Sequence, residues 1–98
     1  MKSCLGGLER NYKMYEIHTI NSKTEKKLKE YIELRRDIKN KLDKLRENPY
    51  KNNGAHKLHG RFEGKWACWL GSNIRAIYNI NNEKKIVLIE AVGTHNIY

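Results

Sequence analysis

The residues of this chain best suited to chemistry are three histidines and one arginine in its second half: His56, His59, Arg75 and His95. Histidine can accept or release a proton near neutral pH, because its unperturbed pKa is about 6.5. The planar guanidinium of arginine offers two parallel charged hydrogen bonds to a phosphate. A fold that gathers these side chains would therefore combine proton transfer with phosphate binding.

The types and spacing of these residues also fit other kinds of site. A zinc site made of His56, His59, Cys68 and His95 would lack a paired Cys-x-x-Cys or a helical His-x-x-x-His spacing, so we predict no metal and no cofactor. Cys68 could act as a nucleophile, but in KWACWL it is expected to be a small core residue. Taken alone, His95 also fits a loose chain end, and Arg75 fits a surface ion pair.

The second half has the pattern of antiparallel strands. Residues 65–71 (KWACWLG) and 74–80 (IRAIYNI) alternate, and residues 86–92 (IVLIEAV) are apolar on both faces, as in a central strand. Short links at 71–73 and 81–82 predict a meander.

The side chains of these strands should alternate between two faces. Trp66 and Trp69 are opposite in phase, so one is expected in the core and the other exposed. Arg75 is expected on the face that the helices leave open. If residues 56–60 are extended, His56 and His59 face opposite sides, and one of the two should reach a common site.

The first half predicts one strand and two helices. Residues 14–20 (MYEIHTI) alternate like a strand with one buried face, and Ser22 to Glu25 fit a capping box. Apolar residues then recur at helical spacing and are interrupted at 33–36, which favours two linked helices ending before Pro49. The predicted fold class is α+β, with residues 1–13 as a loose extension and 14–98 as one domain.

The charge indicates a polyanion or an acidic protein as the partner. Twenty Lys and Arg against eleven Asp and Glu give a net charge of +9. Basic residues exceed acidic ones in both the helical stretch 23–49 and the stretch 50–75. The apolar runs are too short for a membrane span or a secretory signal, and two cysteines make no disulfide framework. We therefore expect a cytoplasmic protein.

The ordered motifs of the second half resemble a known family. HKLHGRFEGKWACWLGSNIRAIYNI, an apolar strand and VGTHNIY are similar to the RelE/ParE toxin superfamily, and most of all to its RelE and YafQ branch of ribosome-dependent mRNA interferases. The resemblance covers 14–98 in order, spacing and length. It implies a small antiparallel, mixed-edge sheet packed against an N-terminal helical hairpin.

The resemblance also implies a metal-independent endoribonuclease in which the RNA 2′-hydroxyl attacks the adjacent phosphorus. His95 matches the C-terminal histidine of the family, as general acid or phosphate contact. His56 matches a possible general base, a role that His59 could share or take over. Arg75 matches the phosphate clamp on the strand. A base, an acid and a cation are what this reaction needs.

Further RNA contacts and partners follow from the same resemblance. Lys57, Arg61 and Lys65 are expected to contact the RNA backbone, and Tyr98 to stack on a base. The expected partners are mRNA, the ribosome and an acidic antitoxin that assembles with a monomeric toxin into a hetero-oligomer. Two alternatives stay open: a ParE-like poison of DNA gyrase, and a degenerate member that only binds its antitoxin.

Overall fold

The computed structural model describes residues 14–71 and 73–94, which form two helices and a five-stranded sheet. The elements are β1 (Glu16–Thr19), α1 (Ser22–Leu34), α2 (Asp37–Glu47), β2 (His56–Lys57), β3 (Trp66–Trp69), β4 (Arg75–Asn81) and β5 (Ile86–Gly93). The proposed extension 1–13 and the candidate residues His95 and Tyr98 lie outside the described residues.

The sheet is antiparallel except at one edge. Its strand order is β1-β5-β4-β3-β2, with β1 parallel to β5 and the other pairs antiparallel. The parallel edge arises because the chain crosses over through both helices before it returns to the sheet. The predicted α+β class, with a mixed-edge sheet and an N-terminal helical hairpin, is confirmed.

The helical hairpin begins one residue earlier than the capping-box prediction. Asn21 is the N-cap, since it is extended and its Oδ1 accepts the Thr24 amide at 2.8 Å, whereas Ser22 is already helical. Asn and Ser cap helices about equally well, so residue type alone does not decide between Asn21 and Ser22. The expected break near 33–36 is confirmed, because Arg35 is extended between α1 and α2. Neither helix of the described chain has the length and apolar character that a membrane crossing requires.

The core lies between the hairpin and one face of the sheet. Ile38 and Leu45 of α2 are fully buried against a sheet face that includes Tyr78 and Ile89. The Tyr78 hydroxyl donates to the Pro49 carbonyl at 2.7 Å, which ties β4 to the end of α2. Burial raises the pKa of Tyr78.

The buried thiol of Cys68 belongs to this core, as the sequence predicts. The residue is 1% exposed, and burial raises the pKa of its thiol from 9.0 to about 12. A group held protonated in this way is a poor nucleophile and a poor metal ligand at neutral pH.

This pKa shift should make stability depend on pH in alkaline solution. Below pH 9 the thiol is protonated in both states, so its full contribution is present; the contribution is lost as the pH rises from 9 through about 12. The free energy of unfolding should fall by up to about 1.4 kcal/mol per pH unit from this group. Urea unfolding of Cys4→Ser, with and without Cys68→Ala, at pH 8 to 10.5 checks this. Equal slopes in the two proteins would contradict it.

Candidate active site on the open sheet face

The register of the sheet places two predicted site residues on the same face. His56 pairs with Ala67, and two positions along β3 Trp69 pairs with Arg75. Residues opposite each other in a ladder, and those two apart in a strand, share a face. Cys68, between Ala67 and Trp69, is in the helix-side core, so His56 and Arg75 lie on the open face. The predicted face of Arg75 is confirmed, and its role in a site stays a prediction.

The two tryptophans of β3 separate as the alternation predicts. Trp66 packs against the core on the helix side, and Trp69 is 36% exposed on the open face. Trp69 therefore sits in the same row as Arg75, beside the row that holds His56.

A short turn anchored on α2 brings the backbone up to Trp69. Asn52 and Asn53 donate through their side-chain amides to the carbonyls of Lys44 and Lys41, each at 2.7 Å. Gly54 follows with a φ of +68°, and a Cβ built on it would lie 3.2 Å from Cδ1 of Trp69. The turn therefore requires glycine both for its backbone angle and for its approach to the indole ring.

His56 is held by the carbonyl of that glycine. Its Nδ1 lies 3.0 Å from Gly54 O, and the side chain is exposed. A carbonyl oxygen can only accept, so Nδ1 must carry the proton. In the neutral ring this leaves the lone pair on Nε2, facing away from the turn and able to take a proton from a ligand.

The guanidinium of Arg75 lies over the indole ring of Trp69 on the same face. Its Cζ lies 4.3 Å from the centroid of the indole ring, and its Nε is shielded from solvent. Arg75 and His56 are two strands and two residues apart, about 12 Å between Cα atoms by ordinary sheet spacings. Side chains of this length can converge on one phosphate group from such positions.

β5 ends next to this arrangement. Gly93 is the partner of Arg75 on β5, and His95 comes two residues later in the sequence. The position of the His95 side chain lies outside the described residues, and the same holds for Tyr98.

The structure does not bring Lys57 and His59 to the face of His56 and Arg75. Lys57 lies on the other side of β2, with its Nζ 5.8 Å from the Trp66 ring centroid. His59 is also extended, and the alternation from His56 puts it on the side of Lys57. Arg61 lies over Phe62 in the turn that follows, at 5.5 Å from its ring centroid.

Lys65 has an internal partner. Its Nζ lies 2.6 Å from Glu90 Oε2, and the two side chains are 31% and 20% exposed. Because Lys65 precedes β3 and Glu90 is on β5, the ion pair spans β4. This ammonium is therefore partly committed to holding the sheet, and its role in RNA binding remains a prediction.

The close approach of Gly54 to Trp69 can be tested by measuring the free energy of unfolding of a Gly54 variant. Gly54→Ala is expected to lower the free energy of unfolding by roughly 1–2 kcal/mol for the left-handed backbone, and further for the contact with Trp69. Gly60→Ala is the matched control, since Gly60 has a φ of +72° with nothing within 4 Å of an added Cβ. Chemical denaturation should show a larger loss for Gly54→Ala. Equal losses would mean that Trp69 does not press on the turn.

Sequence reasoning missed Gly54 and Trp69 as parts of this site. The stretch YKNNG predicts only a turn, and the alternation does not say which of the two tryptophans is exposed. One feature of the sequence could have indicated the position of Trp69. The short loop around 70–74 fixes the register of the hairpin, and this register pairs Trp69 with Arg75. Among the described residues, no group of three or more His, Cys, Asp or Glu side chains could hold a metal ion.

Comparison with known proteins identifies the fold. No protein-family model matches the sequence, and no curated protein matches it. Among solved structures, a chain of the RelBE2 toxin–antitoxin complex from Mycobacterium tuberculosis superposes with a TM-score of 0.67 at 17% identity, covering 84% of this chain and 99% of that one.

Two further structures are similar. A chain of the YoeB–YefM complex from Staphylococcus aureus has a TM-score of 0.64 at 14% identity, over 83% of this chain and 97% of that one. A chain of the DinJ–YafQ toxin–antitoxin complex from Escherichia coli has a TM-score of 0.57 at 20% identity, over 84% and 93%. The chain therefore has the fold of the RelE-like toxins.

Proposed function

We propose that this chain is the toxin of a type II toxin–antitoxin module and that it cleaves mRNA as a metal-independent endoribonuclease. The observation that carries the proposal is the state of His56: its Nδ1 donates to Gly54 O, its Nε2 therefore carries the lone pair of the neutral ring, and it shares a sheet face with Arg75. A base and a cation on the sheet face away from the helices suit an RNA backbone. The fold supports the same assignment.

The proposed reaction is an attack of the RNA 2′-hydroxyl on the adjacent phosphorus. Nε2 of His56 takes the hydroxyl proton while the bond from the 2′-oxygen to phosphorus forms. Arg75 binds the non-bridging oxygens, whose negative charge grows in the phosphorane. The bond to the 5′-oxygen then breaks, and His95 gives that oxygen a proton. The products are a 2′,3′-cyclic phosphate and a 5′-hydroxyl end.

The proposed partners follow from charge and from the need to hold the substrate. An acidic antitoxin would cover the basic surface of a chain with a net charge of +9, forming a hetero-oligomer with a toxin that is otherwise monomeric. The ribosome would present the mRNA and orient the 2′-hydroxyl. Two or three side chains would then have to supply a smaller share of the rate enhancement. The protein would then act in the cytoplasm.

The test is expression of the wild type and of His95→Ala in one host, with mRNA ends mapped by primer extension and plasmid supercoiling measured in parallel. Growth arrest with cuts inside translated codons, relieved by His95→Ala, supports the proposal. Arrest with intact RNA and altered supercoiling would replace it with a gyrase poison. No arrest would replace it with a protein that only binds an antitoxin.

A further inference from the structure

We infer that Trp69 is a positioning residue for the proposed RNA cleavage, because it supports both Arg75 and the turn that holds His56. The inference rests on the proposed function. It adds a residue whose side chain neither transfers a proton in the reaction nor carries a charge. Of the described side chains, Trp69 adjoins both halves of the site: the guanidinium of Arg75 lies over its ring, and a Cβ built on Gly54 would lie 3.2 Å from its Cδ1.

The contact with Arg75 fixes a side chain that is otherwise flexible. Arginine has many rotamers, and a clamp that is ordered before the substrate binds loses less entropy in the complex. Indole is the strongest aromatic platform for a cation, and a separation of 4.3 Å between Cζ and the ring centroid is well within the range of this interaction.

The proximity of Trp69 to Gly54 also affects His56, because His56 is hydrogen-bonded to the backbone of Gly54. The Gly54 carbonyl is the group that keeps the proton on Nδ1 of His56, and the ring of Trp69 limits how far that peptide can move. Asn52 and Asn53 also hold the turn, through α2. Removal of Trp69 should therefore disturb Arg75 strongly and His56 weakly.

A competing role for Trp69 is to stack directly on an RNA base, since part of its ring is exposed. The two roles predict different kinetics. A base platform contributes to RNA binding and should appear mainly in KM, whereas a positioning residue acts on the geometry of the transition state and should appear mainly in kcat. A residue with a merely structural role would change stability with neither effect.

The kinetic experiment compares three variants on ribosomes programmed with a defined mRNA. Trp69→Leu keeps apolar bulk without a ring, Trp69→Phe keeps a smaller ring, and Trp66→Phe is a control on the same strand and the opposite face. We expect Trp69→Leu to lower kcat about 10- to 100-fold, the size of effect that a small misplacement produces. Trp69→Phe should recover most of that loss, and Trp66→Phe should match the wild type.

A loss confined to KM, or Trp69→Leu with wild-type kcat, would overturn the inference. An equal loss in Trp66→Phe would do the same, because it would show a general effect of disturbing β3.

A second measurement separates this inference from the proposed function. In the free protein, NMR should show side-chain protons of Arg75 shifted upfield by the Trp69 ring, and the 15N shifts of His56 should show a proton on Nδ1. Trp69→Leu should abolish the first signal and leave most of the second. If the wild type cleaves no RNA but these signals behave as expected, the proposed function fails and the positioning by Trp69 stands. If Arg75 shows no ring-current shift, the inference fails whatever the activity.

Discussion

Arg75→Lys is expected to lower the rate of RNA cleavage about 10²- to 10³-fold, the usual cost of removing a donor that stabilises an anionic transition state. Lysine keeps the positive charge but loses the planar fork that can bind two phosphate oxygens and the delocalised guanidinium that lies over Trp69. The loss should appear in kcat more than in KM, because the phosphorane carries more charge than the bound phosphodiester. Single-turnover cleavage of ribosome-bound mRNA measures it.

The matched control for this prediction is Arg35→Lys. Arg35 lies between α1 and α2 and pairs with Asp37 at 3.4 Å, so the same substitution there should leave cleavage unchanged. If Arg75→Lys cleaves at the wild-type rate, a point charge is sufficient at this position and the bidentate clamp is wrong. If both variants lose activity, the effect reports net charge and general attraction for RNA rather than a site.

The sequence was enough to predict the layout of this fold because its signals are local. The interruption of the apolar spacing at 33–36 predicts the break between the helices, and Pro49 predicts the end of the second helix, which ends at Glu47. The alternation of apolar and polar residues predicts the three longer strands of the second half. The N-cap was misplaced by one residue because Asn21 and Ser22 are both good caps, and the choice depends on which of them stays extended.

The site was less predictable because its contacts depend on tertiary register. That Gly54 lies against Trp69 requires the Asn52–Gly54 turn to dock on α2 carbonyls, and nothing in YKNNG itself specifies that docking. The pairing of Lys65 with Glu90 likewise joins residues on opposite sides of β4, a relation that appears only when the strand order is known. Counting basic residues could not separate this internal ion pair from a free cation.

Tertiary structure is also needed to decide which of two histidines is the general base. His56 and His59 are both exposed and both near the basic stretch, so their residue type cannot distinguish them. What distinguishes them is an acceptor: Gly54 O lies 3.0 Å from Nδ1 of His56, on the face that carries Arg75. His59 lies on the other side of the chain, three residues farther along.

His56→Gln should therefore lower cleavage about 10²- to 10⁴-fold, the range that a general base contributes. Glutamine can still donate to the Gly54 carbonyl but cannot accept a proton, so the variant keeps the turn and removes the chemistry. His59→Gln is the paired measurement and should cleave like the wild type. Both proteins should unfold at the wild-type denaturant concentration, because both positions are exposed.

The comparison of these two variants decides the assignment of the base, since each result has a different structural meaning. A loss in His56→Gln alone places the base on the open face beside Arg75, with its tautomer set by Gly54. A loss of cleavage in His59→Gln alone would mean that the hydrogen bond from His56 to Gly54 only stabilises the turn. The RNA would then have to approach from the side of Lys57. A loss in both would mean that the histidines act in sequence, and the stretch between them would then have to move during the reaction.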